Sequence, residues 1–213
     1  MLNTIQMIEE NKIIVIVRGV AKENLIPLVQ AMYEGGIRLV ECTYDATGNI
    51  PDEEIAARIQ MLATHFEGKM AIGAGTVLTQ KQVELTARAG GKFIISPDTD
   101  MQVIACTKKC GLVSIPGALS PTEVAGAVKA GADFVKVFPI DLYGPGYIKT
   151  LKAPLSNSRL QAVNGITSQN MTDYFAAGAC GVGVGSGIVN KEMIQAGDFA
   201  GITARALTYT KNI

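Results

Sequence analysis

The sequence predicts an α/β fold, a (β/α)8 TIM barrel preceded by one extra helix, as a single domain over residues 1–213. Three observations carry this. Eight short apolar, β-rich runs recur along the chain, stretches of helical periodicity separate them, and caps and glycines punctuate the junctions. An open doubly wound sheet of similar length would usually have about five or six strands and a clearer nucleotide turn. With 213 residues and 48% hydrophobic content, the chain fills one core and is too short for two ordinary domains.

Residues 1–11 are expected to form the extra helix, covering the barrel bottom. The predicted strands follow as IIVIVRG (13–19), LVECTY (39–44), MAIGAGT (70–76), FIISP (93–97), LVSIPG (112–117), FVKVFP (134–139), LQAVNG (160–165) and GVGVGS (181–186). Leu25, Leu28, Val29 and Met32 fall at i, i+3, i+4 and i+7, one face of a helix between the first two strands. Thr79-Gln80-Lys81-Gln82 and Ser120-Pro121-Thr122-Glu123 read as capping boxes that start helices. Gly35-Gly36, Gly90-Gly91, Gly131 and Gly178 each stand just before a strand, where a helix-ending residue is free of Cβ strain.

The 19 Lys+Arg balance the 19 Asp+Glu, and no run of like charge suggests a nucleic-acid groove or a membrane surface. No signal peptide or membrane span is visible, and Cys42, Cys106, Cys110 and Cys180 form no C-x-x-C pair, so a cytoplasmic protein with reduced thiols is expected. His65, the only histidine, is expected at the surface late in a helix. A His-rich metal site and a Ser-His-Asp or Cys-His mechanism are therefore disfavoured.

In such a barrel the chemistry sits at the C-terminal strand ends. Strand alternation puts Lys136 on the inward face shared by Phe134 and Phe138. A poorly solvated ammonium loses its proton more easily, as a Schiff-base nucleophile must. The plainer alternative is a lysine that snorkels to the mouth or pairs with a carboxylate. Glu41 lies mid-strand on the same face as Thr43, either as a general acid/base or in a salt bridge to Lys136 or Arg18. Arg18 follows Ile14 and Ile16 on the inward face and either binds a substrate anion or neutralises Glu41. Gly73-Ala74-Gly75-Thr76 closes strand three with backbone N–H groups and one hydroxyl, suited to a carboxylate or to a tight turn. Asn164-Gly165-Ile166 and Gly181 to Gly187 occupy the exits of strands seven and eight, where barrels often bind phosphate; the alternative is close corner packing.

Taken together, VIVRG, VECT, GAGTVLT, FIISP, IPGALSPTE, KVFP, NGIT and GVGVGS resemble the family of 2-keto-3-deoxy-6-phosphogluconate and 4-hydroxy-2-oxoglutarate aldolases, over nearly the whole chain. The resemblance implies a class I aldolase that splits a 2-keto-3-deoxy or 4-hydroxy-2-keto acid into pyruvate and an aldehyde. Lys136 then matches the imine-forming lysine and Glu41 the proton-shuttling glutamate. Thr76 matches the threonine beside the pyruvate carboxylate, with Pro97 and Phe138 shaping the pocket. Arg18 resembles an arginine of the 2-keto-3-deoxy-6-phosphogalactonate branch, whose FGPQYIK is echoed by Tyr143 to Lys149. Gly165, Gly185 and Ser186 remain available to a phosphate. A homotrimer is implied, and neither a metal nor an organic cofactor is required. Two departures stand out: the family's E-V-T-L-R-T is Glu41-Cys42-Thr43-Tyr44-Asp45-Ala46, placing an acid that should repel the substrate unless Arg18 compensates, and T-G-G-I is Val163-Asn164-Gly165-Ile166. The rival functions are a phosphate-binding isomerase or synthase in which Lys136 only binds an anion, and a non-catalytic barrel that senses a sugar acid.

Overall fold

The computed structural model describes residues 3–213. Helix α1 (Thr4–Asn11) leads into β1 (Ile13–Val17), α2 (Lys22–Glu34), β2 (Leu39–Thr43), α3 (Asp52–His65), β3 (Ala71–Gly75), α4 (Gln80–Arg88) and β4 (Phe93–Ile95). The chain continues through α5 (Met101–Lys109), β5 (Val113–Ile115), β6 (Gly117–Ala118), α6 (Pro121–Lys129), β7 (Val135–Val137), α7 (Pro145–Lys152) and β8 (Leu160–Val163). It closes with α8 (Met171–Ala176), β9 (Gly181–Val184), α9 (Lys191–Ala196) and α10 (Phe199–Thr210).

All strand pairings are parallel, in the order β5-β4-β3-β2-β1-β9-β8-β7-β6. The two ends of that order, β5 and β6, are consecutive in the chain and separated only by Pro116. Proline has no N–H for a ladder, so one stave breaks there: β5 pairs with β4 and β6 with β7. The nine segments are thus eight staves of a TIM-like barrel, at the eight positions expected.

Alternation along the strands divides the core. Val15, Val40, Ile72, Ile94, Val135, Ala162 and Val182 face outward to the helical layer. Ile14, Leu39, Ala71, Phe93, Val113 and Phe134 face inward at the strand starts and meet Ile8 of α1. Ile8 is wholly buried, so the extra helix plugs the barrel bottom as expected, a burial that contributes about 1.5–3 kcal/mol. Its start is fixed by reciprocal hydrogen bonds between Asn3 and Gln6; residues 1 and 2 of the expected helix lie outside the described residues.

Leu25, Leu28, Val29 and Met32 are buried on α2, and His65 ends α3 exposed. The Ser120–Glu123 capping box forms in full, with Pro121 in the first turn. The Thr79 box forms only by half: Thr79 accepts from the Gln82 amide N–H, but the Gln82 side chain instead accepts from Leu78 and donates to Asp52. Gly36, Gly90, Gly131 and Gly178 all adopt positive φ. Among the described residues no helix is long and apolar enough to cross a membrane.

Candidate active site

At the C-terminal strand ends one cavity of about 840 Å³ opens, and all nine residues singled out in the sequence line it: Arg18, Glu41, Thr76, Pro97, Lys136, Phe138, Gly165, Gly185 and Ser186. Lys136 points inward from the middle of β7, 8% exposed, with Nζ 4.7 Å from the centroid of the Phe138 ring. Burial holds its amine below the ordinary lysine range; the Glu41 charge opposes that fall and Arg18 adds to it.

Glu41 points inward from β2 and is 2% exposed. Burial pushes its carboxyl up to about 7, against the lowering influence of Lys136 and Arg18. The alternative of a salt bridge does not form: no ion pair within 4.0 Å joins Glu41 to Lys136 or Arg18. A raised acid and a lowered base therefore face one cavity, close enough to sense each other's charge and free of the tight pair that would lock both in ionised form.

The carboxyl is seated over Gly75, where a Cβ would lie 2.5 Å from Glu41 Cδ and 2.6 Å from either oxygen. Gly75→Ala is therefore expected to dislodge Glu41 and lower kcat by roughly 10²-fold, the usual cost of about an ångström of misplacement. Steady-state kinetics beside a thermal melt checks it; an unchanged kcat would show that Glu41 tolerates displacement.

Arg18 is exposed at the end of β1 and donates from Nη2 to Thr76 Oγ1 at 2.9 Å. Thr76 has φ 57°, a left-handed conformation unusual for a β-branched residue and of the kind that collects at ligand sites. A guanidinium and a hydroxyl are thereby held together at the cavity rim. At the far side, Gly165 has φ 69°, which suits glycine, and Asn164 takes φ 91°. The glycine run from β9 onward packs closely at some positions and leaves space at another. A Cβ at Gly183 or Gly187 would collide with Val163 or Tyr209, whereas at Gly185 the nearest atom is Ile16 Cβ at 4.0 Å.

The KDPG and KHG aldolase family model, for 2-keto-3-deoxy-6-phosphogluconate and 4-hydroxy-2-oxoglutarate aldolases, matches residues 4–205. The chain belongs to this family. The 2-dehydro-3-deoxy-6-phosphogalactonate aldolase of Escherichia coli K12 is 36% identical over 175 residues, 82% of each chain. The 2-dehydro-3-deoxy-phosphogluconate aldolase of Treponema pallidum is 34% identical over 208 residues, 96% of this chain and 94% of its own. A crystal structure of KDPG aldolase from Legionella pneumophila, with pyruvate captured at low pH as a covalent carbinolamine intermediate, superposes with a TM-score of 0.86 at 25% identity, covering 98% of each chain. This member of the aldolase family is thus an enzyme, a carbon–carbon lyase.

Against the family pattern, Asp45 departs in sequence but not into the cavity. It accepts from the Thr47 N–H and hydroxyl and from the Ile50 N–H, closing the loop after β2, and those bonds keep its carboxyl below the ordinary range. It lines an adjoining cavity of about 380 Å³ that shares Arg18, Ala46 and Thr76 with the Lys136 cavity, so the acid expected to face the substrate is committed to its own loop and does not line the Lys136 cavity. The cavity of about 840 Å³ is also lined by residues that sequence analysis passes over, Leu78, Thr167 and Lys191 exposed and Tyr209 buried, and Gln161 lines a small cavity beside Lys136.

Proposed function

We propose that this chain cleaves a 2-keto-3-deoxy sugar acid to pyruvate and an aldehyde through a Schiff base on Lys136. The carrying observation is the pair of buried, oppositely shifted groups, Lys136 and Glu41, facing one cavity without an ion pair. The neutral amine adds to the C2 carbonyl, and loss of water leaves a protonated imine. Glu41 takes the proton of the C4 hydroxyl as the C3–C4 bond breaks, and the bonding electrons pass into the imine nitrogen to give an enamine. Protonation at C3 and hydrolysis release pyruvate and restore the lysine. Arg18 and Thr76 hold the carboxylate, Pro97 and Phe138 bound the keto acid, and Gly165, Gly185 and Ser186 receive the distal, anionic end. Lys191 supplies a positive charge at that end. No further cofactor is needed for these steps.

Arg18, bonded to Thr76, and Tyr143 to Lys149 favour the 6-phosphogalactonate acid over the 6-phosphogluconate acid, in keeping with the identity to the E. coli enzyme. Borohydride reduction with pyruvate tests the chemistry: an adduct on Lys136 is expected, and unmodified protein overturns it in favour of an anion-binding isomerase or synthase. An adduct without cleavage of any 2-keto-3-deoxy acid, phosphorylated or not, would instead favour the sugar-acid sensor. The working enzyme is a cytoplasmic homotrimer of single-domain chains. Met101 and Val128, exposed apolar residues on the neighbouring helices α5 and α6, support association. Light scattering should return three times the 22.5 kDa chain mass; the mass of one chain overturns the trimer.

A further inference from the structure

Beside Lys136, β8 presents a polar side chain that no step above uses. Gln161 pairs in register with Lys136 on β7 and with Gly181 on β9, and it is 1% exposed. Its amide lies against Gly181, where a Cβ would sit 3.4 Å from Nε2. Gln161 Nε2 has no hydrogen-bond partner among the described residues, and neither has Glu41 Oε2. A buried amide or carboxylate left so is costly, and one such group in a native barrel wants a reason. Both residues, with Lys136, border a cavity of about 10 Å³ otherwise walled by Ile14, Ile16, Ile95, Val163 and Gly183. One water needs about 10–15 Å³ and two to four polar partners. Three polar side chains and that volume meet here.

We propose that Gln161 is a positioning residue that fixes one buried water against Glu41 and Lys136 from inside the barrel. The water accepts from Gln161 Nε2 and donates to Glu41 Oε2. Its remaining lone pair accepts from Lys136 while that is an ammonium, and its remaining hydrogen serves the amine once it is neutral. The water thus spans two groups that make no ion pair, and it donates to the carboxylate in both states of the lysine. Removing Gln161 loosens that donor, so Glu41 becomes harder to ionise. Arg18, Glu41, Lys136, Lys191 and Tyr209 are the titratable groups lining the cavities concerned, and the substitution leaves all five in place.

This inference rests on the roles given above to Lys136 and Glu41, which borohydride trapping of the unaltered enzyme tests separately. Gln161→Met keeps the length of the side chain and loses its donor. In the full-length variant kcat is expected to fall roughly tenfold, with KM within about twofold, and the acidic limb of the pH–rate profile to move to higher pH. An unchanged kcat and limb would make Gln161 a packing residue and overturn the proposal. Should the variant not fold, a high-resolution crystal structure of the unaltered protein decides instead: an ordered water within hydrogen-bond distance of both Gln161 Nε2 and Glu41 Oε2 supports the inference, and a dry cavity defeats it.

Discussion

Lys136→Ala is expected to abolish turnover, by a factor on the order of 10⁵, while the barrel stays folded. The argument is local. Lys136 makes no ion pair that its removal would orphan, and its strand is held by main-chain bonds that any residue can make, among them Lys136 N–H to the Pro116 carbonyl at 2.9 Å. A truncated side chain therefore leaves β7 in register between β6 and β8. What disappears is, among the described residues, the only amine in the buried part of the cavity, since Lys191 stands exposed. Pyruvate and borohydride should then give no adduct by mass spectrometry, with an unchanged circular dichroism spectrum. A variant retaining near-normal rate, or an adduct carried by another lysine, would refute the assignment.

The second large effect belongs to Glu41. Glu41→Gln preserves size and burial and removes the exchangeable proton, so kcat should fall roughly 10²- to 10⁴-fold while trapping of pyruvate persists. Because burial raises the carboxyl from 4.5 to about 7, the folded protein holds its proton more tightly than the unfolded chain does. Glu41 therefore costs stability progressively as pH rises from about 4.5 through about 7, and below that window the neutral acid and the amide are near equivalents. Melting temperatures should show Glu41→Gln gaining over the unaltered enzyme at pH 8, with the gain vanishing near pH 4.5. An equal difference at both pH values would contradict burial as the cause, and loss of trapping would recast Glu41 as a partner that holds Lys136 in place.

The barrel is legible in the sequence because each stave carries its own local signal: an apolar run, a cap or helical stripe after it, a glycine before the next. Lys136 and Glu41 are legible for a sharper reason, since a charge on the inward parity of a strand has nowhere cheap to go. The same parity selects Gln161, but an amide carries no formal charge, and its lack of a partner depends on what the neighbouring strands supply. Asp45 shows the opposite failure. As one letter in a motif it looks like an acid aimed at substrate, yet Asp45-Ala46-Thr47-Gly48-Asn49 is also a turn-forming stretch, and the carboxylate satisfies its own loop. The break at Pro116 and the rim residues Thr167 and Lys191 come from closure of the barrel, which brings together residues far apart in the chain.

The plug formed by Ile8 governs traffic. With the floor of the barrel stopped by α1 and by the rings of Phe93 and Phe134, the upper mouth is the way in and out. In the proposed mechanism the fragment bonded to Lys136 cannot leave until water cuts it free, so the aldehyde is expected to depart first. Run backwards, the same corridor admits the keto acid before its partner, and an aldehyde that arrives early stands in its way. Kinetics in the synthetic direction should accordingly be ordered, with high aldehyde concentrations inhibitory against the keto acid.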